Sequence, residues 1–232
     1  MKDTDGKKRI SHGNLLSING SIHKRGKKMD QRIKEKMILV SESVMRMLKL
    51  AFEGFRKPSE KCFKKAEEFE DKIHQYSSDL TKFIISRKPS NEKEKDWGKP
   101  YLSIASSLEH MTNNVESVMD RVRGKSENHV LFSDQAVKEV NNVFREAMGL
   151  LEKLSSLMTT QDKLLAQRIG EGGRAILKIA DGYSEGHEER LIRGICVPTH
   201  SPIYLGIVES LKGVIIHTLE VSGKIVYLSS KS

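Results

Sequence analysis

One offset constrains this chain more than any local motif. The stretches "YLSIASSLEH" (101–110) and "YLGIVESLKG" (204–213) share five residues at matched places, 103 positions apart. Held without a gap from 40 to 119, the same offset gives twelve identities in eighty pairs, among them Val40/Val143, Leu48/Leu151, Ile73/Ile176, Arg87/Arg190 and Leu108/Leu211. Apolar character is also kept at Val44/Ala147, Met47/Leu150, Ala51/Leu154, Ala66/Ile169 and Val122/Ile225. The buried pattern repeats along with the identities, so one supersecondary unit occurs twice in tandem.

The unit reads as three helices. Apolar residues recur three and four apart, as one helix face requires. The first run goes from Ile33 to Phe55 and stops before Pro58, since a residue ahead of proline is pushed out of helical geometry. The second runs from Phe63 to Ile84 and the third from Tyr101 to Val122, with "SRKPSNEKEKDWGKP" (86–100) breaking the pattern between them. "RGKSENH" (123–129) reads as the central link. In the second half Ser133 or Asp134 can cap a helix, and the runs are Val137–Met158, Leu165–Tyr183 and Tyr204–Ile225. At ~1.5 Å per residue, ~25 residues make rods of about 38 Å. Aromatic residues make up only 6% of the chain, which argues against a sheet-rich fold. The expected fold is all-α: two tandem three-helix bundles of six long antiparallel helices, at 29–126 and 127–232. A three-helix bundle of this length can bury a core of its own.

The net charge of +9 is uneven. Residues 1–28 hold eight Lys or Arg against Asp3 and Asp5, or +6, leaving +3 for the rest. That segment reads as a basic, disordered tail, with contact to an acidic membrane surface as the sharper alternative. It lacks the interleaved aromatics and recognition helix that nucleic-acid binding would call for. No run approaches the ~18 apolar residues of a membrane span, and the N-terminus lacks the apolar stretch of a secretory signal. Two cysteines, Cys62 and Cys196, make no disulfide framework. The expected location is the cytoplasm, peripheral to the inner membrane if the tail binds it.

Three constellations bear on chemistry. Glu68 and Asp71 stand three apart on the second helix, and Glu109 and Asn113 four apart on the third, so each pair shares a helix face. Together they could offer a shallow oxygen site for a cation; the competing reading is a solvated face paired with Lys64, Lys65 and Lys72. His187, Cys196 and His200 can each bind zinc, but their spacing matches no common zinc signature, and they read as part of a long connector. Gly170, Gly172 and Gly173 interrupt the fifth helical run, marking a kink or a close helix contact. No nucleophile elbow, Walker motif or paired Cys/His occurs, so the chain is not expected to be an enzyme.

Two tandem three-helix units resemble the PhoU family of phosphate-uptake regulators, and the soluble PhoU-like domains that follow bacterial sodium/phosphate cotransporters. The local carriers are "AEEFEDKIHQYSSDL" (66–80) and "SLEHMTNNVESV" (107–118). The resemblance implies a non-catalytic regulator or accessory protein of phosphate transport. It would dock on a phosphate transporter or an associated signalling protein, and homo-oligomers are compatible with it. Some members bind metal clusters through an acidic residue and an aspartate four positions later on the third helix. Here Glu109 is kept but Asn113 stands at the aspartate's place, and Lys212 and Ile216 replace both in the second copy. A divalent or ferric ion is therefore expected only at the first repeat. The alternatives are a metal-binding helical bundle and a general helical interaction scaffold.

Overall fold

The computed structural model describes residues 30–87 and 97–230; the basic tail and most of the 86–100 break lie outside them. Among the described residues there are six α-helices and no strand: α1 (Gln31–Arg56), α2 (Glu60–Ser86), α3 (Gly98–Glu127), α4 (Asp134–Thr160), α5 (Lys163–Ile192) and α6 (Ser201–Ser230). Adding 103 to the first residue of α1, α2 or α3 gives the first residue of α4, α5 or α6. The caps follow the same rule with their chemistry exchanged. Asp30 and Ser133 cap α1 and α4, and Ser59 and Asp162 cap α2 and α5, each side-chain oxygen accepting from backbone N–H groups of the first turn.

Three helix limits differ from the sequence pattern. α3 begins before its first apolar residue and takes in Pro100, since a proline in the first turn removes an N–H that has no intrahelical acceptor. It also runs on to Glu127, making most of the expected central link helical. α5 continues to Ile192, so His187 is helical rather than part of a connector. The three glycines do not break α5. At Gly173 a Cβ would meet Leu219 Cδ2 of α6 at 2.5 Å, so the feature is a close helix contact.

Among the described residues the outer helices α2 and α5 pack chiefly within their own half, on α1 and α3 or on α4 and α6. The inner helices join the halves, α1 against α4 and α3 against α6. Both inner pairs are antiparallel. Lys34 Nζ at the start of α1 donates to the Thr159 carbonyl at the end of α4 (2.8 Å), while Phe52 lies 5.1 Å from Phe144, centroid to centroid. Lys224 Nζ likewise reaches the Ser103 carbonyl (3.1 Å), and His110 stacks on His217 (5.0 Å). The halves are thus related by a near-twofold axis across the helices. Lys49 and Glu152, themselves 103 apart, pair across it at 3.4 Å.

The core runs through both halves as one continuous cluster. Val40/Val143, Leu48/Leu151, Ile73/Ile176, Ile104/Ile207 and Leu108/Leu211 are all buried on both sides of the repeat. α6 is apolar and long enough, by composition alone, to cross a membrane. Here its apolar residues Ile207, Leu211, Val214, Ile215, Val221 and Ile225 are fully buried in the core.

Candidate functional site

The ligand-type cluster that the fold assembles lies on the first repeat. On α2, Glu70 and His74 are four apart and project from one face. Glu116 meets them from α3. Their ligand atoms all lie within 4.8 Å of one another, and His74 Nε2 is 2.8 Å from Glu116 Oε1. That oxygen is buried and not aligned for a hydrogen bond. Burial raises the Glu116 carboxyl above the ordinary range, opposed by His74 and reinforced by the charges of Glu70 and Asp120. Two half-buried carboxylates and an exposed imidazole form the mixed oxygen and nitrogen set that zinc, iron or manganese accepts.

The four residues singled out from the sequence lie nearby but face outward. Glu68 and Asp71 on α2, and Glu109 and Asn113 on α3, are all exposed. Glu70 is adjacent to Asp71, and Glu116 is seven residues beyond Glu109, the same face two turns on. Sequence reasoning missed the cluster because it followed carboxylates along each helix and left out His74. Of the lysines expected to pair with that acidic face, Lys64 pairs with Glu60, outside it, at 2.7 Å. Glu67 instead meets Arg123 of α3 at 2.8 Å, and Lys72 lies over the Phe69 ring.

A second polar cluster, also unforeseen, sits where α4, α5 and α6 meet. Glu139, only 3% exposed, accepts two hydrogen bonds from Arg190, at 3.1 and 2.8 Å. It also accepts one from Gln135 at 3.0 Å and one from the Tyr204 hydroxyl at 2.5 Å. Burial, and donation to Glu139, push the Tyr204 hydroxyl well above its usual range. His187 stacks on the Tyr204 ring at 4.3 Å, and its Nε2 lies 3.0 Å from Ser201 Oγ. Burial, helped by the charge of Arg190, lowers the His187 pKa. The sequence did hold a signal, since Arg87/Arg190 and Tyr101/Tyr204 are identities of the repeat. In the first repeat Arg87 reaches Asp30 at 2.5 Å instead, at an exposed position. His187, Cys196 and His200 line one cleft, yet the Glu70 cluster is the metal-type group of three within 4.8 Å among the described residues.

The arrangement of six helices has a known counterpart. The crystal structure of PhoU from Pseudomonas aeruginosa matches it with a TM-score of 0.76, over 87% of this chain and 97% of that one, at 12% identity. The chain has a PhoU-like fold. No family model and no curated protein matches the sequence. The PhoU-like fold accounts for the six long helices in two sets of three, and at this identity the likeness speaks for the fold.

Proposed function

We propose that this protein is a non-catalytic regulator or accessory protein of phosphate homeostasis, acting by docking on a phosphate transporter or its signalling partner. The observation that carries the reading is the PhoU-like fold over nearly the whole of both chains. The long outer helices offer rigid polar faces for such a partner, and the basic segment 1–28 would hold the protein near an acidic cytoplasmic leaflet. The test is removal of the gene from its host, with phosphate uptake and a phosphate-starvation reporter measured in phosphate-replete medium, alongside co-purification with the membrane phosphate transporters. Deregulated uptake with co-purification supports the reading. Unchanged uptake and reporter output, with no transporter retained, overturn it.

A second reading, binding of a divalent or ferric ion at the first repeat, has its own observation in the convergence of Glu70, His74 and Glu116. These residues, rather than exposed Glu68, Asp71, Glu109 and Asn113, would supply the bonds; two carboxylates would offset the ion's charge, and a three-ligand set leaves positions for water or a further ligand. Metal analysis of purified protein tests it. Stoichiometric metal that is lost in both His74→Ala and Glu116→Gln supports the site. Metal retained in both variants overturns it.

A further inference from the structure

Antiparallel packing of α3 on α6 sets a regular register along their outer seam. Ser107 meets Glu220 and His110 meets His217. The same register puts Ser117 opposite Ser210. Two contacts flank that pair. A Cβ on Gly213 would collide with the Asn114 side chain, and one on Gly206 with the Arg121 side chain.

The repeat makes one end of this seam a comparison for the other. Ser107, His217, Glu220 and Lys224 correspond to Ser210, Asn114, Ser117 and Arg121. At the first end a carboxylate ties the group together. Glu220 accepts from Ser107 Oγ at 2.8 Å and lies 3.1 Å from His217 Nδ1 and 3.7 Å from Lys224 Nζ. At the other end the cation and the hydroxyl are kept, but Ser117 stands in the place of the acid. Arg121 donates to the Ser117 carbonyl at 3.3 Å and makes no ion pair among the described residues. The neighbouring acids are turned elsewhere: Lys212 holds Glu209 at 2.8 Å, and the charge of Asp120 acts on Glu116, toward α2.

A second observation points to a ligand. Ser210 is 8% exposed, yet neither its hydroxyl nor that of Ser117 has a hydrogen-bond partner among the described residues. The matching Ser107 hydroxyl bonds to the Ser103 carbonyl, Glu220 and Lys224. Buried hydroxyls are normally paired. Arg121, half-buried against bare α6 backbone at Gly206, offers a guanidinium fork, which pairs well with oxyanions. Asn114 spends its Nδ2 on the His110 carbonyl at 2.7 Å, which leaves Oδ1 as an acceptor beside Gly213. The set thus combines a cation, two hydroxyl donors and one acceptor. Hydrogen phosphate matches it, having both acceptor oxygens and an O–H at neutral pH. Sulfate and carboxylates lack the O–H.

We infer that the α3–α6 seam at Ser117 and Ser210 binds free inorganic phosphate. Arg121 would counter its charge, the two serine hydroxyls would donate to its oxygens, and Asn114 Oδ1 would accept from its O–H. The site deepens the proposed role in phosphate homeostasis by naming the ligand sensed; it rests on that reading for its purpose and on the seam alone for its chemistry.

The test titrates the full chain with inorganic phosphate at neutral pH and constant ionic strength, with sulfate and acetate in parallel. Backbone amide NMR shifts of Asn114, Ser117, Arg121, Gly206 and Ser210 are the readout. Saturable shifts with phosphate, and weaker ones with the other two anions, are expected. Arg121→Gln should weaken phosphate binding about tenfold or more. Ser117→Glu, which installs the acid of the other end, should do the same while keeping the helicity and melting temperature of the parent. Lys224→Gln, the matching cation at the other end, should leave binding unchanged. Absence of saturable shifts with phosphate, equal binding of sulfate, or undiminished binding in both Arg121→Gln and Ser117→Glu overturns the inference. Such a failure leaves the outcome of gene removal untouched, so the site and the proposed role fail separately.

Discussion

Replacing Glu139 with alanine should be far more damaging than replacing Asp30, although the two carboxylates receive equivalent arginines of the repeat. Glu139 is buried and accepts four hydrogen bonds, two of them from Arg190. Its removal leaves the Arg190 side chain, 17% exposed, without its carboxylate, and leaves the buried Tyr204 hydroxyl short of its acceptor. Breaking a buried pair costs about 3–5 kcal/mol, and the partial access of water to Arg190 places the loss near the lower end. The Arg87–Asp30 pair is 44% and 25% exposed. Asp30→Ala loses an N-cap, worth about 1 kcal/mol, and a wet ion pair, worth at most about 1 kcal/mol. For a chain of this size each kcal/mol moves Tm by about 2–4 °C. Urea unfolding with scanning calorimetry should therefore show a fall of roughly 6–12 °C for Glu139→Ala against roughly 2–8 °C for Asp30→Ala. Glu139→Leu combined with Arg190→Met should recover most of the loss, since the uncompensated charge is gone. Equal costs for Glu139→Ala and Asp30→Ala, or no recovery in the double variant, would refute the reasoning.

Three further outcomes are expected. The folded-state pKa of Glu116 is raised, so its ionisation opposes folding and stability falls as pH rises through that pKa. Metal-free Glu116→Gln should then be more stable than the parent at pH 7, with the gain vanishing in acid; a destabilised variant at pH 7 argues against this. His187 has a lowered folded-state pKa, so the folded state resists its protonation. Stability should drop as pH falls below about 6.5, and His187→Ile should flatten that part of the profile in thermal melts. Finally, residues 29–126 expressed alone expose the inner faces of α1 and α3, which in the whole chain meet their own counterparts. Light scattering should show a dimer that loses helicity on dilution; a stable, fully helical monomer would count against the shared core.

Much of the fold was legible because burial recurs at a fixed period. Ile73/Ile176 and Leu108/Leu211 mark the same depth twice, and Ser133 announced the start of α4. The limits of α3 and α5 were harder to see. Arg123–Glu127 and Glu188–Ile192 carry too few inward apolar residues to extend the periodic pattern, yet their backbones continue the helices. Ile179 kept the apolar stripe in sequence but is 44% exposed, since α5 is an outer helix packed mainly on α4 and α6. The polar clusters were less legible still. Glu116 stands 42 residues from His74, and Tyr204 stands 65 from Glu139, so no local spacing could join them. Only the packing angle between helices brings such groups within hydrogen-bond reach.

The pair Lys49 and Glu152 shows what joining the two copies in a single chain permits. They are the same position of the repeat, and they touch near the axis that exchanges the halves. In a symmetric assembly of separate identical subunits, whatever residue stood there would face itself, and any charge would face its like. Covalent linkage lifts that constraint: one side carries the cation, the other the anion, and each half is free to drift away from being its own mirror partner.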